Sequence, residues 1–109
     1  MTTVAILGFD DSYASVVGGF ADMLQVANAH MSKQGMPPSG LFEWHFLSQD
    51  GRPASASNGL ELSMRALPKN QHYDLVFMPS LHYRGWQHFQ GFLEKQTAVR
   101  DWSGNLDAL

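Results

Sequence analysis

Val4-Ala5-Ile6-Leu7-Gly8-Phe9, followed at once by Asp10-Asp11-Ser12, is the stretch on which the fold depends. Unbroken apolar character over six residues describes a strand buried on both faces, because a strand with one wet face alternates apolar and polar positions. Past the two acids, Val16, Val17, Phe20, Met23, Leu24, Ala27 and Met31 recur every three or four residues, with Asp22, Gln25 and Asn28 between them. That spacing predicts an amphipathic helix from Val16 to Met31. Ser12 or Ser15 is placed to cap its start, Gly35 to end it, and Pro37-Pro38 prevents its continuation. A buried strand feeding a helix is half of a βαβ unit.

The same pattern returns downstream. Leu75-Val76-Phe77-Met78 predicts a third buried strand, opened by Asp74 and ended by Pro79-Ser80. Trp86, Phe89, Phe92, Leu93, Val99 and Trp102 then trace the stripe of a second helix, in which Gly91 costs about 1 kcal/mol relative to alanine. Between the two units, Phe42, Trp44 and Phe46 alternate with Glu43, His45 and Leu47, the period of a second strand with one buried face. Asp50-Gly51-Arg52-Pro53 turns the chain. Ala54 to Ser57 and Leu60 to Met64 flank Asn58-Gly59, which predicts a hairpin with a two-residue type I′ turn. Ala66 to Tyr73 reads as polar connection. These pieces make one α/β domain over residues 1–109, a thin, mostly parallel, doubly wound sheet with a small hairpin. A sheet this thin leaves an edge and apolar surface open, so association of protomers is expected.

With 109 residues, 44% hydrophobic and 16% charged, the chain supports one core rather than two. It has no cysteine, which excludes disulfides, a cysteine nucleophile within these residues and thiolate metal sites. The net charge is −3, and the seven basic residues are scattered, so these residues are not expected to bind DNA. No apolar run approaches the roughly 20 residues that span a bilayer, and Met1-Thr2-Thr3 does not open a signal peptide. The expectation is a cytoplasmic protein without membrane contact. Gly-x-Gly-x-x-Gly, the Lys-bearing phosphate loop, His-Glu-x-x-His and Gly-x-Ser-x-Gly are all absent from the sequence.

In open α/β sheets function sits where strands end and helices begin, which selects Asp10, Asp11, Ser80, His82 and Tyr83. Paired acids after a first strand also hold magnesium in response-regulator receiver domains. That chemistry needs an aspartate at the end of the third strand, where this chain has Met78-Pro79-Ser80. Otherwise the acids solvate a loop and favour a helix N-terminus. His72, His82 and His88 lack ligand spacing, and no metal or cofactor is expected. His82 and Tyr83 lie where the third strand delivers its loop and are candidates to line a pocket. Asp22 falls on the first helix among apolar neighbours. Met23, Met31, Met36, Met64 and Met78 read as core filler.

Taken in order, Val4–Phe9, Gly19-Phe20-Ala21-Asp22-Met23-Leu24-Gln25-Val26-Ala27-Asn28, Phe46-Leu47-Ser48-Gln49-Asp50-Gly51 with Ser57-Asn58-Gly59-Leu60, and Tyr73-Asp74-Leu75-Val76-Phe77-Met78-Pro79 resemble a known family. It is the class I glutamine-amidotransferase-like (PfpI-type) domain at the N-terminus of AraC-type transcriptional regulators, and the similarity spans residues 4 to about 103. The resemblance implies a flavodoxin-like or Rossmann-like sheet cut short before the strand that leads to the nucleophile elbow. It implies that Asp22 occupies the position of a glutamate near that elbow, one methylene shorter. Enzymes of the superfamily often carry Gly-Gly after the third strand to donate oxyanion-hole amides, where this chain has Ser80-Leu81. The implied function is a non-catalytic, ligand-sensing and dimerising domain. Its ligand would be a small nitrogenous metabolite near Asp10, Asp11, Asp22, Ser80, His82 and Tyr83, and it would meet DNA only through a module outside this chain. The alternatives are a fragment of a PfpI-type cysteine hydrolase or hydratase and a receiver-like association domain.

Overall fold

The computed structural model describes residues 1–104; the domain end expected at residue 109 lies outside them. Val4 to Leu7 of the apolar run lie in β1 (Thr2–Leu7), with Gly8 and Phe9 just past its end, and Val4, Ala5, Ile6, Leu7 and Phe9 are all buried. Helix α1 (Ala14–Lys33) follows, then a 3-10 turn (Pro38–Gly40) and β2 (Phe42–Ser48). Short strands β3 (Ala54–Ser55), β4 (Glu61–Leu62) and β5 (Arg65–Ala66) come next. They lead to β6 (Leu75–Phe77), α2 (Trp86–Lys95) and α3 (Thr97–Gly104). The main sheet runs β5-β2-β1-β6, all parallel, with Val4 opposite Trp44 on one side and Leu75 on the other.

Alternation along β1 divides the core into two. Val4 and Ile6 face α1, where they pack with Val17, Ala21 and Leu24, and Phe20 stacks on Phe77 at 3.9 Å. Ala5, Leu7 and Phe9 face the other way, onto Leu47, Tyr73, Val99, Phe92 and Trp102. Each fully buried aliphatic side chain contributes about 1.5–3 kcal/mol relative to exposure, so a central strand covered on both sides anchors the domain. The sheet is doubly covered, as the continuous apolar run requires. β2 shares that property: Phe42, Trp44 and Phe46 pack on the α1 side while Leu47 is buried on the other, so the predicted single buried face becomes two.

Several local expectations are corrected. Neither Ser12 nor Ser15 caps α1. Its N-cap is Tyr13, without a side-chain bond, and the buried Ser12 hydroxyl instead accepts the Phe9 N–H at 3.0 Å within the preceding turn. The C-terminus ends as read: the Gly35 and Met36 amides donate back to the Ser32 and Met31 carbonyls, the paired bonds of a Schellman motif. The hairpin turn is not type I′, because Asn58 keeps a negative φ and only Gly59 is left-handed, at +94°. The Gly59 amide bonds to the Ala56 carbonyl and the Ala56 amide to Leu60, giving a three-residue loop with a glycine bulge. Asn58 spends its side chain on the Leu60 amide instead.

The helix predicted across Trp86 to Trp102 breaks at Gln96, where the amide reaches back only to Leu93. The break lets α2 bring Phe92 and α3 bring Val99 and Trp102 to the same sheet face. β6 is an edge strand among the described residues rather than a buried one, with Leu75 47% and Met78 62% exposed. Met23 and Met36 are exposed as well, so the methionines are not uniformly core filler. β5 forms at the boundary between the predicted hairpin strand, which ends at Met64, and the polar connection that begins at Ala66. Its approach to the Gly51 turn is so close that a Cβ there would lie 2.9 Å from the Ala66 amide nitrogen. Asn28, polar on the helix pattern, pairs its amide with both the N–H and C=O of Phe42 and so ties α1 to the start of β2.

Candidate functional site

The loop from Gly8 to Tyr13 carries β1 into α1 and is held from two sides. On one side the hairpin supplies the Ser55 carbonyl to the Asp11 amide at 2.8 Å, and Asp10 Oδ1 accepts the Ser55 amide at 3.0 Å. The Ser57 amide adds a bond to the Ser12 carbonyl. On the other, the segment after β6 places the His82 amide on the Asp11 carbonyl and the Ser80 carbonyl on the Tyr13 amide, with a bridge between Ser12 and Leu81. Asp11 occupies the left-handed region at φ 69°, a conformation that costs free energy for a residue with a side chain and persists where its surroundings fix it. Here both of its backbone polar groups are fixed.

The Asp11 carboxylate is the charged centre of the site. Oδ1 accepts from the Arg84 guanidinium at 2.9 Å, and Oδ2 lies 3.3 Å from His88 Nε2. Tyr13 Oη pairs with His82 Nδ1 at 3.0 Å, with the two rings edge to face. Beside these groups opens a cavity of about 260 Å³ lined by Asp10, Asp11, His82 and Tyr83 together with Phe9, Phe89 and Phe92. Phe9 meets Phe92 edge to face at 5.3 Å, and Phe89 lies between Phe92 and Tyr83. The wall is therefore aromatic and largely apolar with two aspartates, Asp10 and Asp11, in its lining, an arrangement that attracts a cation through both ring faces and charge. Its size suits a small metabolite rather than a polymer.

Of the residues selected from sequence, Asp10, Asp11, His82 and Tyr83 come together at this cavity. Ser80 joins through its backbone only. Asp22 does not: it lies on the outer side of α1, in a shallow groove with Gly19, Met23, Val26 and His30. Sequence reasoning missed Tyr13, Arg84, His88 and Phe89. The aromatic stripe of α2 was a signal for Phe89 and Phe92, but it reads equally as core. Among the described residues no group of three or more His, Asp or Glu side chains forms a metal-holding cluster.

No protein-family model matches this sequence, and no curated protein matches it. Solved structures do. An AraC family transcriptional regulator from Pseudomonas putida superposes with a TM-score of 0.63 at 18% identity, over 91% of this chain and 60% of that one. A DJ-1 superfamily protein from Agrobacterium tumefaciens gives 0.51 at 20% identity, over 93% of this chain and 50% of its own length. The chain thus shares the α/β fold of these two proteins, a mostly parallel sheet with helices on both faces, and spans 60% and 50% of their lengths. No helix among the described residues is long and apolar enough to cross a membrane.

Proposed function

We propose that this chain is the ligand-sensing part of a cytoplasmic transcriptional regulator, that it is not catalytic, and that it binds a small amine in the cavity at the C-terminal ends of β1 and β6. The observation that carries the reading is the pairing of an aromatic wall, Phe9, Phe89, Phe92 and Tyr83, with the Asp11 carboxylate. A cationic amine would lie over the rings and compete with His88 for Asp11 Oδ2. The likeness in fold to a regulator supports the setting.

The cavity suits a sensor because its walls belong to three segments, the β1–α1 loop, the β6–α2 loop and α2. A ligand that binds one arrangement of these segments better than another shifts the population by its differential affinity, and by no more than that. In the proposed reading the shift alters how two protomers associate, and DNA is bound by a separate module.

Titration calorimetry with choline, tetramethylammonium and a panel of free amino acids tests the reading. Saturable binding of an amine is expected, weakened about tenfold or more by Phe89→Ala and by Asp11→Asn, since desolvated cation–π contacts are worth about 2 kcal/mol. Absence of heat with every amine, or an affinity unchanged from the native protein in either variant, refutes it.

A further inference from the structure

The aromatic cavity has more room, and more apolar surface, than a bare ammonium group uses. Its volume of about 260 Å³ holds roughly nine non-hydrogen atoms at the ~30 Å³ that each water takes in the liquid. Methylamine and tetramethylammonium fill only part of it. Besides the rings, the lining takes in Met78, Pro79, Leu81 and Leu93. Met78 is 62% and Leu93 40% exposed, so both present apolar surface that water still covers. Covering such surface is favourable roughly in proportion to its area.

The acidic and apolar parts of the lining stand apart. Asp11 Oδ2 lies 3.3 Å from His88 Nε2. Leu93 comes five positions after His88 on α2, which at 1.5 Å per residue sets it about 7.5 Å further along the helix axis. An ammonium group at Asp11 therefore reaches the Leu93 end only through an arm of several carbons.

The charges exclude an acid on that arm. Asp10 and Asp11 both line the cavity, and among the described residues no lysine or arginine does. Arg84, bonded to Asp11 Oδ1, stays outside the lining. The two histidines of the lining are engaged already, His82 through Nδ1 with the Tyr13 hydroxyl and His88 through Nε2 with Asp11. A ligand carboxylate would meet two like charges in a mostly apolar wall, with no cation to offset its desolvation.

We propose, resting on the amine reading of this cavity, that its ligand is a monoamine bearing one apolar arm of phenethyl or hexyl size and no carboxylate. The ammonium group lies at Asp11, and the arm runs past Phe89 toward Met78 and Leu93. Phenylalanine is phenethylamine with an α-carboxylate added, so this pair isolates rejection of the acid. Phenethylamine against tetramethylammonium isolates the arm.

Titration calorimetry of the full chain with phenethylamine, hexylamine, tetramethylammonium and L-phenylalanine tests the proposal. Both armed amines are expected to bind at least tenfold more tightly than tetramethylammonium and than phenylalanine. Met78→Gln and Leu93→Gln keep similar bulk at exposed positions and are expected to weaken phenethylamine about threefold or more each. Thermal melts of the two variants check that they fold. Equal affinity for phenethylamine and phenylalanine, equal affinity for phenethylamine and tetramethylammonium, or phenethylamine binding untouched in both folded glutamine variants overturns the proposal while the amine reading stands. No binding of any amine overturns both.

Discussion

Asp11 and Asp74 show how differently two aspartates at strand boundaries behave. Asp11 is bound through its backbone to two loops and through its carboxylate to Arg84 and His88. The sequence placed it at a strand end, but its partners lie some 70 positions away and carry no spacing signal. Asp74 opens β6 and accepts both the backbone N–H of Thr3, at 2.8 Å, and the Thr3 hydroxyl, with His72 nearby. Those bonds favour the ionised form and hold its pKa below the ordinary carboxylate value. The folded protein therefore binds this proton less readily than the unfolded chain, so the stabilisation is present above about pH 4 and is lost as pH falls through the lowered value. Urea midpoints measured across this acid range are expected to fall more steeply for the native protein than for Asp74→Asn, and superimposable profiles would exclude the linkage. Ser12 is the residue where local reasoning failed. Its hydroxyl had two competing uses, and burial in a turn that needed an acceptor for the Phe9 amide decided between them.

Among the elements, β1 and α1 were legible because their periodicity is long and consistent. α2 and α3 were legible as helix but not as two helices. The stripe from Trp86 to Trp102 contains no proline to mark the break, and Gly91, the one weak position, lies inside α2. A Cβ at Gly91 would meet nothing within 4 Å, so Gly91→Ala is expected to stabilise the protein by up to about 1 kcal/mol through helix propensity alone. A denaturation midpoint shifted upward with unchanged slope would show it, and a destabilised variant would mean that the position is packed. The hairpin was legible as a hairpin, whereas its turn type was not. Asn58-Gly59 is compatible with more than one loop length, and the Ser57 amide bonded to the Ser12 carbonyl belongs to the loop that formed.

For the whole molecule, the described surface retains apolar side chains on two faces: Met23 and Val26, both about two-thirds exposed on α1, and Leu75 and Met78 at the β6 edge. Association of protomers, part of the proposed reading, follows from surface of this kind. Sedimentation equilibrium over rising concentration is expected to show a dimer, and a strictly monomeric profile at high concentration would count against it. The amino-acid sequence by itself determined the α/β class, the position of the central strand, and the first helix and its end. Each of these depends on periodicity or on residues a few positions apart. Only the tertiary structure decided that β6 stands at an edge, that the helical stripe bends at Gln96, and that Asp22 points away from the cavity while Tyr13, Arg84, His88 and Phe89 converge on it or beside it. Those outcomes rest on contacts between segments distant in the chain, which leave no periodic or local signal in the sequence.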